Sequence, residues 1–216
     1  MTTKNKLGRR ILMSALGVLV AGISVGMFKH AMLGVDPFQS LMSGLNAVFP
    51  ISFGTLYVIA NLVLLTFALT LDRHKIGLAT LLNLFFFGYI AEFIQSCLQK
   101  LWPAPSLIGR FLLLLPAVVI MCFASAFYFT ADLGVSTYDA VALIISEKWD
   151  RIPFKYLRII TDLICVILGG SLCLIAGYTF GEVTGVIGIG TIITAFFMGP
   201  LIAFFREHAS EPFLAK

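Results

Sequence analysis

The sequence predicts an all-α polytopic membrane protein. It has six transmembrane helices in two inverted-topology three-helix repeats, each with a short non-spanning helix, and its N- and C-termini are cytoplasmic. Three observations lead to this fold class. Hydrophobic residues fill 59% of the 216 positions, charged residues only 12%, and the mean hydropathy is +0.99. A soluble domain carries about 25% charge, so this chain lacks the polar surface to cover a core in water. Six apolar runs, at about 11–33, 52–71, 76–98, 109–131, 153–176 and 184–205, reach the roughly 20 residues that cross a bilayer. Helices let each run satisfy its own backbone. Finally, Leu33-Gly34-Val35-Asp36-Pro37-Phe38 recurs as Leu133-Gly134-Val135-Ser136-Thr137-Tyr138, an aromatic closing both copies.

Taken in order, Lys4, Lys6, Arg9 and Arg10 precede the first run. At roughly 23 residues it exceeds the apolar core of a secretory signal, so it is read as a retained span. Gly34 can end that helix, and Asp36 can cap a new one with Pro37 in its first turn. The segment that follows, about 37–49, is too short to span. After the second span comes the polar turn Asp72-Arg73-His74-Lys75. After the third, Trp102-Pro103-Ala104-Pro105 stops the helix and hinges the two halves. Ser136 with Asp139 has the form of a capping box opening a second short segment, about 137–149. Gly177-Tyr178-Thr179-Phe180-Gly181-Glu182 reads as the loop before the sixth span. Each short segment either re-enters the bilayer with its dipole end facing a site or lies flat at an interface.

The repetition extends well beyond Leu-Gly-Val. Ile51-Ser52-Phe53 matches Ile152-Pro153-Phe154, Leu56 matches Leu157, and Asn61-Leu62 matches Asp162-Leu163. Gly77-Leu78-Ala79-Thr80-Leu81-Leu82-Asn83 matches Gly188-Ile189-Gly190-Thr191-Ile192-Ile193-Thr194, after a longer loop in the second copy. Phe85-Phe86, Gly88 and Arg10 find mates in Phe196-Phe197, Gly199 and Arg110. One membrane domain, 1–216, is therefore divided into repeat one (about 9–105), repeat two (about 106–208) and a short cytoplasmic tail. Three spans per copy is an odd number, so the second copy must enter from the opposite face. Inverted repeats of this kind recur in transporters, with the site at the repeat interface near the bilayer midplane.

Basic residues give the orientation. With the N-terminus inside, the cytoplasmic face holds Lys4, Lys6, Arg9, Arg10, Arg73, Lys75, Lys148, Arg151, Lys155, Arg158, Arg206 and Lys216, which is 12 of the 15. The outer face holds Lys29, Lys100 and Arg110, a strong positive-inside bias. Trp102 and Trp149 fall near opposite interfaces. The net charge of +4 is thus a topology signal, and no nucleic-acid partner is expected.

Cys97, Cys122, Cys165 and Cys173 form no CxxC pair, and His30, His74 and His208 are scattered, so neither metal nor cofactor is expected. No GxSxG, HExxH or phosphate-binding loop is present, and an enzyme is not expected.

An ionisable group inside a membrane is a functional candidate by default. Asp162 lies within about a turn of the middle of the fifth span, and its mate Asn61 near the middle of the second. Matched residues at matched depth can converge, as a proton- or cation-binding carboxylate facing an amide. Arg158, one turn earlier, can instead hold Asp162 in a structural bridge. Thr80 with Asn83, and Thr191 with Thr194, share helix faces that either line a polar path or bond helix to helix. Glu92 either lines an outer vestibule or points to headgroups. Asp36, Ser136 and Asp139 are cap or gate candidates.

Leu133-Gly134-Val135-Ser136-Thr137-Tyr138-Asp139-Ala140 and the stretch Gly188-Ile189-Gly190-Thr191-Ile192-Ile193-Thr194-Ala195-Phe196-Phe197-Met198-Gly199-Pro200 carry a family likeness. Through them the chain resembles the YczE/YyaS/YitT group of bacterial integral membrane proteins. The resemblance covers nearly the whole chain and implies a multipass protein of the bacterial cytoplasmic (inner) membrane; it supplies no reaction. The expected function is a small-solute transporter or permease with its site at the repeat interface. The alternative is an accessory or regulatory protein acting through a partner. Expected partners are the lipid bilayer, an unknown small solute, and a second copy or another membrane protein.

Overall fold

Long apolar segments have no water to satisfy their amides, so they form helices, which close their hydrogen bonds internally. The computed structural model describes residues 3–71, 76–148 and 154–215. The predicted turn Asp72–Lys75 lies outside them, as do Trp149, Arg151, the Ile152-Pro153 part of the second repeat, and Lys216. Every regular element among the described residues is helical. In order these are α1 (Thr3–Ala31), α2 (Pro37–Val48), α3 (Phe53–Leu71), α4 (Leu78–Leu101), α5 (Leu107–Ala131), α6 (Thr137–Lys148), α7 (Phe154–Ile175), α8 (Phe180–Val186), α9 (Ile189–Phe205) and α10 (Glu211–Ala215). Six segments are long and apolar enough to cross a membrane: Leu7–Ala31, Phe53–Leu71, Leu78–Leu101, Leu107–Ala131, Tyr156–Ile175 and Phe180–Ala215.

At the centre, α1 packs on α5 through Val18, Val25, Phe28, Leu114, Ala117 and Met121. Small residues let α1 approach its other neighbour, α4. A Cβ at Gly22 would lie 2.7 Å from Ile90, and one at Gly26 2.7 Å from Ile94. Close backbone approach of this kind is the usual source of helix association in lipid, where burial of apolar surface gives no drive. Outward-facing side chains are strongly apolar: Leu101 is 82% exposed, Ile175 75% and Phe196 74%. Apolar surface on that scale suits hydrocarbon rather than water.

Two departures from the expected elements stand out. The stretch read as a loop before the sixth span already begins α8. Thr179 Oγ1 accepts from the Glu182 amide while the Glu182 carboxylate accepts from the Thr179 amide at 2.7 Å, a complete capping box. The helix also runs on past 205, through a π-helical turn at Arg206–Ser210 into α10. Packing on α5 holds it there: Thr130 and Ser210 hydroxyls meet at 2.6 Å, both buried, and the rings of Phe127 and Phe213 are 5.7 Å apart. A second π-helical turn, Asn83–Phe87, lies inside α4.

The two Leu-Gly-Val straps have the same backbone. Met32 and Asp132 have φ +52° and +49°, and Gly34 and Gly134 have +102° and +105°. Only glycine adopts the latter without strain. Each strap is tied to the other sequence repeat. Leu33 O accepts from Gly190 N at 2.7 Å, and Leu133 O from Ala79 N at 2.9 Å. Gly34 and Val35 amides donate to Gly185 and Val186 carbonyls, each at 3.0 Å. The helices that follow the straps are also exchanged. α2 lies on α7 with Gly44 against Gly169, and α6 lies on α3 with Ala140 and Ile144 around Ala68.

Candidate functional site

The straps deliver the N-termini of α2 and α6 to one place. There Phe38 and Tyr138, matched in the sequence repeat, stack with ring centroids 4.7 Å apart. Around them is a cavity of about 430 Å³. Asp36 caps α2 as the sequence predicts, its Oδ1 accepting from the Gln39 amide at 3.1 Å. Ser136 caps α6 by accepting from the Asp139 amide at 3.1 Å, and its hydroxyl donates to the Asp139 carboxylate at 2.7 Å. Asp36, Ser136 and Asp139 all line the cavity, together with Asn61, Asn83, Arg158, Asp162 and Thr194.

Asn61 and Asp162 reach this cavity without touching one another. They are joined through two consecutive residues of α6. Thr137 donates to Asn61 Oδ1, and Tyr138 Oη donates to Asp162 Oδ1 at 2.7 Å. Asn61 is 1% exposed and spends an Nδ2 proton on the Tyr57 carbonyl at 2.7 Å. Arg158 does reach Asp162, Nε to Oδ1 at 3.3 Å along the same helix face. It also binds Asp139 through Nη1, and its guanidinium lies 4.4 Å from the Tyr138 ring centroid. One cation thus serves two carboxylates over an aromatic face. Burial lifts the Asp36 carboxyl, outside the spanning helices, to about 6, although the Gln39 amide and the Arg158 charge pull it down.

Three expected site residues lie elsewhere. Thr80 Oγ1 donates to the Val135 carbonyl at 2.6 Å and accepts from Gly77 N at 3.2 Å, pinning the second strap. Thr191 makes the matched bond from Gly188 N, at 3.2 Å, but donates to Val186 O within its own repeat, at 3.4 Å, tying α8 to α9. Both are structural ties between segments rather than a polar path. Glu92 neither lines this cavity nor points freely outward: its Oε2 accepts from the Gly54 amide at 2.9 Å and satisfies an open donor at the start of α3. Asn83 does line the cavity and accepts from Tyr57 Oη at 3.1 Å. Thr194 also lines it, donating to Thr191 O at 3.0 Å.

Gln39, Tyr57 and Tyr138 are cavity residues that the sequence pattern did not single out as site residues. The signal for Tyr138 was present in the repeat, where an aromatic closes both copies. Cys122, Cys165 and Cys173 are buried, Cys165 with its Sγ 3.6 Å from Tyr138 Oη. Among the described residues no three His, Cys, Asp or Glu side chains converge as metal ligands.

Six helices long and apolar enough to cross a membrane, with charged side chains gathered at a cavity among them, define a multipass membrane protein. The model of a family of unknown function, DUF6198, matches residues 8–207, and the chain belongs to that family. An uncharacterized protein of Haemophilus influenzae is 28% identical over 90% of this chain and 81% of its own length. The uncharacterized protein YyaS of Bacillus subtilis is 24% identical over 93% of this chain and 94% of its own. The uncharacterized membrane protein YczE of the same organism is 25% identical over 88% and 81%. The resemblance to the YczE/YyaS/YitT group stands on these relatives. No solved structure matches the chain.

Proposed function

We propose that this protein is a small-solute transporter or permease of the cytoplasmic membrane, built from two inverted three-span repeats with both termini inside. The observation that carries this reading is the cavity of about 430 Å³ at the meeting point of α2 and α6, with Asp36, Asp139, Arg158 and Asp162 in its wall. Charge inside a bundle of spans is costly, and where it surrounds a cavity it commonly marks a solute or ion pathway. The pairing of the straps supports inversion. Residues 34 and 134, matched by the repeat, meet Gly188 and Gly77, which are matched in turn. A twofold relation between the copies requires such an exchange. The stacking of Phe38 on Tyr138 supports re-entrant placement of α2 and α6, with both N-termini at the cavity, over placement flat at opposite interfaces. Rocking of one repeat against the other about this stack would open the cavity to each side in turn.

Proteoliposomes carrying wild type or Asp162→Asn are the test, with flux of a solute panel as the readout. Flux in wild type that falls at least tenfold in Asp162→Asn is expected. Equal flux in the two removes Asp162 from the mechanism. No flux with any solute, together with a stoichiometric partner on purification, supports the accessory role instead. Labelling of Met32→Cys and Asp132→Cys, matched strap residues that are exposed and lie outside this cavity, tests inversion separately, since the same accessibility for both from one side of the membrane refutes it.

A further inference from the structure

We infer that the central cavity recognises a small organic cation bearing N–H donors, a protonated primary or secondary amine, held by Gln39 and Asp36. Its role as cargo rests on the transport reading above; its binding does not. Among the described residues the charged groups of the cavity are Asp36, Asp139, Asp162 and Arg158. Arg158 is already engaged by both Asp139 and Asp162. An anionic solute would therefore meet three carboxylates and a cation whose partners are already in place. A cationic solute finds Asp36, which accepts from backbone amides at the start of α2 and, among the described residues, is bonded by no basic side chain.

Gln39 supplies the independent sign of a missing ligand. It lines the cavity and is 3% exposed, and its Oε1 is buried with no hydrogen-bond donor among the described residues. A buried acceptor left unmade is unfavourable and calls for an explanation. The repeat shows how it arises. The position matched to Gln39 is Asp139, which has Arg158; the position matched to Arg158 is Tyr57, whose hydroxyl goes to Asn83. Gln39 is thereby left at the cavity wall with its Oε1 buried and without the partner its mate enjoys. A second orphan, Tyr128 Oη, borders an adjoining void of about 100 Å³ that shares Asn83, Ser136 and Asp139 with the cavity.

The remaining wall suits the body of an amine. Phe38 stacks on Tyr138, and Tyr57 meets Phe38 edge-on at 5.9 Å. Aromatic faces attract cations and tolerate alkyl groups equally well. The cavity is within the size range of small-molecule sites. An ammonium donating to Gln39 Oε1 and Asp36 would satisfy the orphan acceptor and give the capping carboxylate a cation.

The test uses the full chain purified in mild detergent at pH 8, with calorimetric titration of butylammonium, tetramethylammonium and butyrate. Saturable butylammonium binding is expected, with tetramethylammonium at least tenfold weaker because it has no N–H to give Gln39. Gln39→Leu should weaken butylammonium about tenfold and leave tetramethylammonium unchanged. A merely structural glutamine would change both alike. Gln39→Met replaces Gln39→Leu if the latter does not fold, with the same criterion. No saturable butylammonium binding, butyrate binding as tight, or equal loss for both cations overturns the assignment. Saturable binding without uptake in proteoliposomes keeps the amine site and removes transport. Uptake of a solute that no amine competes with keeps transport and removes the amine site.

Discussion

Replacing Gly134 by alanine should be among the most damaging single-methyl changes in the chain. Two separate costs are combined there. At φ +105° an L-residue is strained by about 1–2 kcal/mol. The added Cβ would also sit 2.5 Å from Gly77 N and 2.7 Å from Thr80 Oγ1. Both neighbours are held, Gly77 by backbone and Thr80 by its bond to Val135 O, so relief must come from moving the strap off α4. Overpacking of that kind costs about 1–3 kcal/mol more. A total of about 2–5 kcal/mol follows. Gly177→Ala is the internal control, because Gly177 has φ +89° but nothing within 4 Å of an added Cβ, and it should show only the backbone part. Gly34→Ala should match Gly134→Ala, since its Cβ would meet Gly188 N at 2.5 Å and Thr191 Oγ1 at 2.8 Å. Equilibrium unfolding in mixed micelles gives the comparison. Gly134→Ala costing no more than Gly177→Ala would refute the idea that the straps are clamped by the opposite repeat.

Three further outcomes follow from the cavity wall. Thr137→Val should cost about 1–3 kcal/mol by leaving Asn61 Oδ1 buried without its donor, and Thr137→Val with Asn61→Leu should recover part of the loss in a double-mutant cycle of micellar stability. Arg158→Met should cost about 1.5–3 kcal/mol, because the half-buried Asp139 and Asp162 then lose the cation they share; adding Asp139→Asn should restore folding more than adding a distant Asp132→Asn. Amine affinity should fall as pH drops through about 6, where Asp36 takes up a proton, and Asp36→Asn should flatten that step in titrations from pH 5 to 8. The groups facing Asp36 are Arg158 and Asp162 from α7, with Gln39 and Phe38 amides from α2. Without amine the sign reverses. A carboxyl whose folded value is raised contributes stability that is full below 3.8 and lost as pH rises through about 6.

The spans are readable because a bilayer demands long uninterrupted apolar runs, and their number and positions follow from that demand alone. Local chemistry is equally readable. Asp36 capping α2 and Arg158 reaching Asp162 each depend on residues within four positions. The Thr179–Glu182 capping box has the same kind of signature, but two flanking glycines point toward a loop. What sequence does not supply is any bond set by how α2 and α6 are inserted. Matched depth predicts that Asn61 and Asp162 face one another. Their separation by Thr137 and Tyr138 depends on where α6 enters, and no periodicity encodes that. Glu92 is a similar case: its partner is the Gly54 amide on another helix, so a carboxylate with the look of a vestibule group is a cap.

Matched positions in the two copies have diverged in chemistry while holding the same places around the cavity. Phe38, Tyr57 and Asn61 correspond to Tyr138, Arg158 and Asp162. The first set is neutral and the second carries both charges of a bridge. Each difference removes one partner from the other side. Pro37 offers no hydroxyl where Thr137 reaches Asn61, and Phe38 offers none where Tyr138 reaches Asp162. A strictly symmetric wall would have repeated the bridge and filled the cavity with paired charges. The divergence instead leaves one wall closed by its own ion pairs and the other open, with Asp36 and Gln39 as the polar side chains that no other side chain bonds among the described residues, and aromatic faces beside them. A cavity polar at one edge and apolar around it selects a solute of the same character, a charged head on a small apolar body. If charge alone governed entry, potassium added as a competitor would displace butylammonium on equal terms. Preference for butylammonium is the result that assigns the aromatic wall a part in recognition.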